Sequence, residues 1–319
     1  CIAGPTGAGK TAAALRLASA LQSSGLKAQI INADSRQVYR DFPVITAQPT
    51  PEERSVCPHW LYGWLESEKK ISAGEWAGMA AEAIARITSQ GHVPVVVGGT
   101  GFYIRSLLDG IAEIPPVEKA VTQELLDECQ SRGTPVMHGI LAHIDPDYAG
   151  KIHPNDKQRI VRALEVWKST GKTFSWWHKN AMRCPGRYEV LRLGVGLPLA
   201  ELTPFLEARV DVMMNSGALE EARNALERCP DLRAPGWSGI GCMELGDYLK
   251  GITSLSECLR LWKTNTRAYA KRQWTWFKTD KRILWHRPEQ WDLLMQRASD
   301  FLFCGDAHGR SLVPAGAHP

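Results

Sequence analysis

Apolar positions in the first third of the chain alternate between two periods. From Lys10 to Ser23, alanines and leucines recur at helical spacing and stop at Ser24-Gly25. AQIINA (28–33) is a short apolar run with paired isoleucines and reads as a buried strand. AGEWAGMAAEAIARITSQG (73–91) returns to the helical period and closes on glycine. VPVVVGG (93–99) is a β-branched run between Gly91 and Gly98, the strongest strand signal in the sequence. This βαβαβ rhythm predicts an α/β fold, a parallel sheet with helices on both faces.

The pattern breaks at Ile114-Pro115-Pro116. From Val117 to about Arg192 it is helical and basic, with no strand signal, as an inserted all-helical domain would be. EVLRLGVGL (189–197) suggests a return to the sheet, and amphipathic helices follow over 200–228 and 254–278. The expected division is a core over 1–114, the helical insert over 115–190, a second and mostly helical part of the core over 191–300, and a flexible tail over 301–319. No repeat occurs at solenoid periods.

At 319 residues and 35.4 kDa, the chain can bury one large core or two smaller ones. Its 44% hydrophobic and 23% charged residues are those of an ordinary globular protein. No apolar run approaches the roughly 20 residues of a membrane helix, so no membrane is expected as a partner. No secretory signal precedes residue 4, and the strand ahead of it is expected to begin upstream of Cys1. A formal charge of +4 permits a polyanionic partner without demanding one. Eight scattered cysteines form no C-x-x-C pair and have no histidine at ligand spacing. That argues against a disulfide framework or structural zinc and for a reducing, cytoplasmic compartment. Cys242 reads as a small buried hydrophobe. Most of the 12 tryptophans belong in the core, but Trp176-Trp177 and Trp274 with Trp276 flank basic residues and could stack on bases.

The chain opens CIAGPTGAGKT, and residues 4–11 fit G-x-x-x-x-G-K-[ST]. In that device, backbone N–H groups and a helix N-terminus converge on one anion. The cradle is Gly4, Pro5, Thr6, Gly7, Ala8, Gly9, Lys10 and Thr11: Lys10 adds a point charge and the Thr11 hydroxyl can ligate Mg²⁺. Kinases, ATPases and diphosphate users share it, so the phosphate's identity stays open. Ligands of such sheets sit at the carboxyl ends of the strands. Two further polar segments fall there, ADSRQ (33–37) and GGTG (98–101). Asp34 could hold Mg²⁺, accept a proton from a hydroxyl or an attacking amine, or simply cap the next turn. Thr100 could bond substrate or cap a helix. In HPNDKQRIVRALEVWKSTGKT (153–173), Asn155 or Asp156 caps a helix with an apolar stripe of Ile160, Leu164 and Trp167. Lys157, Arg159 and Arg162 project elsewhere, as on any solvated face. TRAYAKRQWTWFK (266–278) interleaves cations with rings and suits RNA, or equally a helix with aromatics inward.

GPTGAGKT (4–11), ADSRQVYR (33–40), VVVGGTGFYIRSLLDG (95–110) and the runs at 153–173 and 266–278 together resemble the tRNA dimethylallyltransferases, in order and across nearly the whole chain. The resemblance implies a P-loop NTPase-like sheet and a transferase. Such an enzyme moves a dimethylallyl group from its diphosphate to N6 of adenosine 37, beside the tRNA anticodon. The cradle would then hold a diphosphate that leaves, with Mg²⁺ as cofactor. The exocyclic amine is a poor nucleophile and gains from losing a proton as the C–N bond forms, a role that falls to Asp34. By resemblance, Thr100 positions substrate and Arg209, in LEARVDVMM (206–214), clamps the diphosphate. Asp34, Ser35, Arg36, Gln37, Thr100 and the run Gln158, Arg159, Ile160, Val161, Arg162 would contact tRNA. The target base would leave its stack through a channel between core and insert. The resemblance implies no protein partner, and a monomer is expected.

The sequence departs from the family at Ile45-Thr46-Ala47-Gln48-Pro49, where a glycine and a lysine are usual, and at Cys242, where a tyrosine is common. Both departures bear on RNA handling more than on diphosphate chemistry. The C-terminal zinc finger of eukaryotic members has no matching cysteine and histidine spacing here. Three other readings compete. An adenylate isopentenyltransferase would act on free AMP, ADP or ATP, without needing a basic insert. A small-molecule P-loop kinase would consume ATP. A non-catalytic P-loop RNA-binding protein would not depend on Asp34.

Overall fold

The computed structural model describes residues 1–181 and 187–303. Two compact units emerge, Cys1–Leu108 with Gly186–Pro319, and Asp109–Pro185.

The first unit is built on six strands: β1 (Ile2–Ala3), β2 (Ala28–Asn32), β3 (His59–Trp60), β4 (Val93–Gly98), β5 (Leu193–Val195) and β6 (Leu284–His286). They pair in the order β3-β2-β4-β1-β5-β6, every pair parallel. The expected α/β sheet is therefore present. Neighbouring isoleucines in β2 explain why both its faces are covered: Ile30 joins Ala13, Ala14, Leu17 and Leu21 of the helix Lys10–Ser23. Ile31 joins Trp76, Ala80 and Ile87 of the helix Ala73–Ser89 on the other side. Alanines on the first of these helices let it lie close to the strands, which places the start of that helix at the sheet's carboxyl edge.

The structure differs from the pattern in several places. The strand expected over 189–197 shrinks to Leu193–Val195. The helix expected over 200–228 is two, Leu199–Asn215 and Ala218–Arg228, broken at Gly217 with φ 98°. The strands β3 and β6 carry too few residues to show a period. Residues 301–303 close the helix Trp291–Phe303 instead of opening a tail, and 304–319 lie outside the described residues.

The second unit contains the helices Lys119–Arg132, Thr134–Ile144, Pro146–Ala149, Lys157–Thr170 and Phe174–Asn180. Its core gathers Leu125, Cys129, Met137, Leu141, Ile160, Val161 and Leu164. Asp156 caps the helix Lys157–Thr170 by accepting the Arg159 N–H at 3.1 Å. Trp167, expected in the apolar stripe, is 41% exposed instead.

Candidate active site at the carboxyl edge of the sheet

Three adjacent strands deliver the site. β1 runs into the Gly4–Thr11 loop, β2 into Asp34 and β4 into the turn at Gly98–Gly101. Gly4 has φ 151°, and a Cβ there would strike the Val195 carbonyl of β5, so the entry to the loop accepts only glycine. The helix Lys10–Ser23 begins without a side-chain cap and has no acidic residue in its first turn, which leaves its N-terminal dipole to an anion. Lys10 Nζ donates to the Pro5 carbonyl at 2.7 Å and folds back over the loop.

Asp34 is held in a fixed turn. Asn32 Oδ1 accepts the Asp34 N–H at 2.8 Å, and Asn32 Nδ2 donates to the Asp34 carbonyl at 3.0 Å. One carboxylate oxygen, Oδ1, accepts the Arg36 N–H at 2.8 Å, so the turn-capping role is real. The other, Oδ2, lies 3.5 Å from where a Gly99 Cβ would stand. Thr100 joins the two strand ends: its N–H donates to the Ala33 carbonyl at 3.0 Å, and its Oγ1 accepts the Ser35 N–H at 2.9 Å.

The charges around Asp34 act on one another. Burial, opposed by the Asp34 charge and reinforced by Arg209, lowers the Lys10 pKa to about 8. Arg209, on the helix Leu199–Asn215, is likewise lowered by burial and sustained by Asp34. The Asp34 charge thus acts on both the loop lysine and a second cation. Tyr269 meets Thr100, and burial, then the Asp34 charge, raise its pKa and keep the phenol protonated.

Gln273 belongs to the site although sequence reasoning passed over it. Buried in the helix Leu255–Phe277, it accepts the Thr6 N–H on Oε1 at 2.8 Å and donates from Nε2 to the Gly99 carbonyl at 2.8 Å. Its only trace in the sequence is an uncharged polar residue amid the cations and rings of 266–278.

A cradle, a carboxylate and a threonine therefore meet on one sheet edge, and the IPP transferase family pattern matches residues 37–280. The chain belongs to that family. Over 317 residues it is 54% identical to a tRNA dimethylallyltransferase of Nitratidesulfovibrio vulgaris (strain DSM 19637 / Miyazaki F), covering 95% of this chain and 92% of the relative. The tRNA isopentenylpyrophosphate transferase of Bacillus halodurans superposes with a TM-score of 0.68 at 29% identity, covering 97% of this chain and 98% of that one. A eukaryotic dimethylallyltransferase, solved acting on tRNA, gives 0.77 at 28% identity over 99% of this chain and 80% of its own.

Within this IPP transferase framework, the residues read as RNA contacts occupy different settings. Arg36 donates to Ser238 Oγ at 2.5 Å, and Gln37 donates to the Thr46 and Ala47 carbonyls at 3.0 and 2.7 Å. The Gln37 side chain is therefore engaged in holding the loop that departs from the family pattern. In that loop Ile45 is buried and Gln48 donates to the Tyr39 carbonyl at 2.7 Å, so both substitutions serve packing. Cys242 is fully buried, as a small hydrophobe would be. On the helix Lys157–Thr170, Gln158 and Arg159 are exposed, and Arg162 pairs with Glu165 at 2.6 Å. Ile160 and Val161 are a correction: they sit in the core of the helical unit, so their side chains have no surface to offer RNA. Trp176 is 40% exposed with Lys172 5.0 Å above its ring, whereas Trp274 packs edge-on against Trp285.

Among the described residues, no group of three or more His, Cys, Asp or Glu side chains could hold a metal ion. Among the same residues, no helix is long and apolar enough to cross a membrane.

Proposed function

We propose that the chain transfers a dimethylallyl group from dimethylallyl diphosphate to N6 of adenosine 37 in tRNA, giving N6-isopentenyladenosine and diphosphate. The observation that carries this reading is the convergence of the Gly4–Thr11 loop, the Asp34 turn and Thr100 at the ends of three adjacent strands, with the Asp34 charge acting on both Lys10 and Arg209. A group that can take a proton thus shares one electrostatic environment with the cations that would receive a leaving anion.

The bonds balance simply. The N6–C1 bond forms as the C1–O bond breaks, diphosphate departs with the electron pair, and the N6 proton passes to Asp34 Oδ2. Asp34 Oδ1 stays on the Arg36 N–H, which fixes the direction of the accepting oxygen. Lys10, Arg209 and the amides at the helix N-terminus stabilise charge as it grows on the departing diphosphate. Thr100 ties the Asp34 turn to the end of β4 and holds the carboxylate in place.

Mg²⁺ suits this donor set, because it favours oxygen ligands drawn largely from substrate phosphates and needs no carboxylate cluster. The Thr11 hydroxyl would hold it, and the ion would add charge neutralisation at the diphosphate. The exposed Gln158 and Arg159, with Ser35, are the residues we assign to tRNA. The unpaired cysteines among the described residues support a reducing cytoplasm as the place of action.

The test offers the purified protein unmodified tRNA or AMP with dimethylallyl diphosphate, and identifies the nucleoside product by mass. Isopentenyladenosine in tRNA, lost in Asp34→Ala while diphosphate binding persists, is the expected outcome. Prenylation of AMP alone would make the chain an adenylate isopentenyltransferase.

A further inference from the structure

Gln273 makes two hydrogen bonds to main-chain groups far away in sequence, at separations of 267 and 174 residues. Each end of the carboxamide has one chemically permitted partner. The Thr6 N–H can only donate, so it faces Oε1; the Gly99 carbonyl can only accept, so it faces Nε2. The residue is 5% exposed, with Ala270 and Phe277 of the same helix anchored in the core. Gly99 has no Cβ because the carboxamide fills that space, and the same point lies 3.5 Å from Asp34 Oδ2. Loop and turn are therefore tied through a single side chain, and the carboxylate borders the same glycine.

We propose that Gln273 is the positioning residue that fixes the phosphate loop at a set distance from the Asp34 carboxylate. Resting on the transferase reading above, this adds a specific division of labour. Thr6 gives its amide to Gln273 and not to the diphosphate, leaving the later amides of the loop for the leaving group. The Gly98–Gly101 turn, which carries Thr100, moves only with the loop. Misplacement by about 1 Å between a base and a leaving group can cost on the order of 100-fold in rate, so a rigid tie between them has a large effect.

Glutamate distinguishes this role from plain packing. In Gln273→Glu, the ionised side chain still accepts the Thr6 N–H, but its second oxygen faces the Gly99 carbonyl. Protonated, it regains a donor and restores both bonds. Burial and the nearby Asp34 charge push such a carboxyl upward, so the switch falls in an accessible pH range. Gln273→Met keeps the volume and loses both bonds at every pH.

The experiment measures kcat for tRNA prenylation between pH 5.5 and 8.5 in wild type and both variants, with circular dichroism confirming folded protein at the assay temperature. Inorganic diphosphate affinity is followed in parallel. Expected is a loss of about tenfold or more for Gln273→Glu at pH 8, with its kcat relative to wild type climbing as pH falls. Gln273→Met stays low at a constant ratio. A flat ratio for folded Gln273→Glu, or Gln273→Met within about twofold of wild type, overturns the proposal. If wild type itself transfers no prenyl group, the functional reading fails; the pH-dependent ratio of diphosphate affinities then decides the role of Gln273 without turnover.

Discussion

Asn32, wholly buried at the end of β2, grips the main chain of Asp34 from both sides, accepting its N–H and donating to its carbonyl. Asn32 Nδ2 also donates to the Leu61 carbonyl at 2.9 Å, which ties the turn to the segment after β3. Only a carboxamide supplies an acceptor on one atom and a double donor on the other. In Asn32→Asp the second oxygen would confront two carbonyls without water. Each buried polar group left unpaired costs about 1–3 kcal/mol. Asn32→Asp should lower stability by at least that amount in urea unfolding. Transfer should fall with it, because the Asp34 turn loses its hold; an unchanged initial rate would show that Asp34 holds its place unaided.

Lys10 sets a pH limit on diphosphate binding. Burial brings its pKa from 10.5 down to about 8, with Arg209 adding to the fall and Asp34 resisting it. In the free chain the ammonium loses its proton near that value, so affinity for the anion should weaken above pH 8, approaching tenfold per pH unit for one linked proton. Asp34→Asn removes the resisting charge and should move the break below pH 8. Titration calorimetry with inorganic diphosphate measures both. The linkage to folding has the opposite sign: between about 8 and 10.5 the unfolded chain holds the extra proton, and stability gains from this group as pH rises through that window.

Arg159 is the cleaner probe of RNA contact. It is exposed and pairs with Asp156, whereas Arg162 balances Glu165, whose side chain is only 8% exposed. Reversing Arg162 would strand a buried carboxylate and confuse binding with folding. Arg159→Ala should change stability by less than about 0.5 kcal/mol. If Arg159 meets a phosphate, tRNA affinity falls and the slope of log affinity against log salt drops by about one. Filter binding at several salt concentrations reads both, and an unaltered slope returns Arg159 to an ordinary solvated face.

What the sequence made legible follows from the range of the interactions involved. The helix Lys10–Ser23, β2 and β4 announce themselves because each repeats a local period, and the loop at 4–11 because its glycines have positions that backbone geometry demands. Asp34 and Thr100 were findable as polar residues placed just after strands. Gln273 was not: its function arises from two contacts across the fold, and no neighbour in sequence marks it. Ile160 and Val161 show the opposite limit, since a motif spans consecutive residues while a helix of 3.6 residues per turn carries some of them into the core. Strands of two or three residues such as β3 and β6 owe their existence to the partner strand beside them.

Glu221 gives the sharpest test of the core itself. It lies on the helix Ala218–Arg228, and its two carboxyl oxygens accept the Val44 and Ile45 N–H groups at 2.6 and 2.8 Å. Burial, helped by the Asp41 charge and opposed by the two amides and Arg228, raises its pKa from 4.5 to about 7. Asp41 is itself engaged, accepting the Ser67 hydroxyl at 2.7 Å and lying 3.4 Å from Arg228. Between pH 4.5 and about 7 the folded chain holds a proton on Glu221 that the unfolded chain has released. Stability from this group is therefore complete below the unfolded value and is lost as pH rises through the folded one. Glu221→Gln cannot titrate and can accept only one of the two amides, so it starts with a deficit of about 1 kcal/mol. The stability advantage of wild type over the variant should shrink steadily from pH 5 to pH 8 in urea unfolding. An advantage that stays constant would mean Glu221 is already ionised at pH 5, with the Val44 and Ile45 amides outweighing the cost of burial.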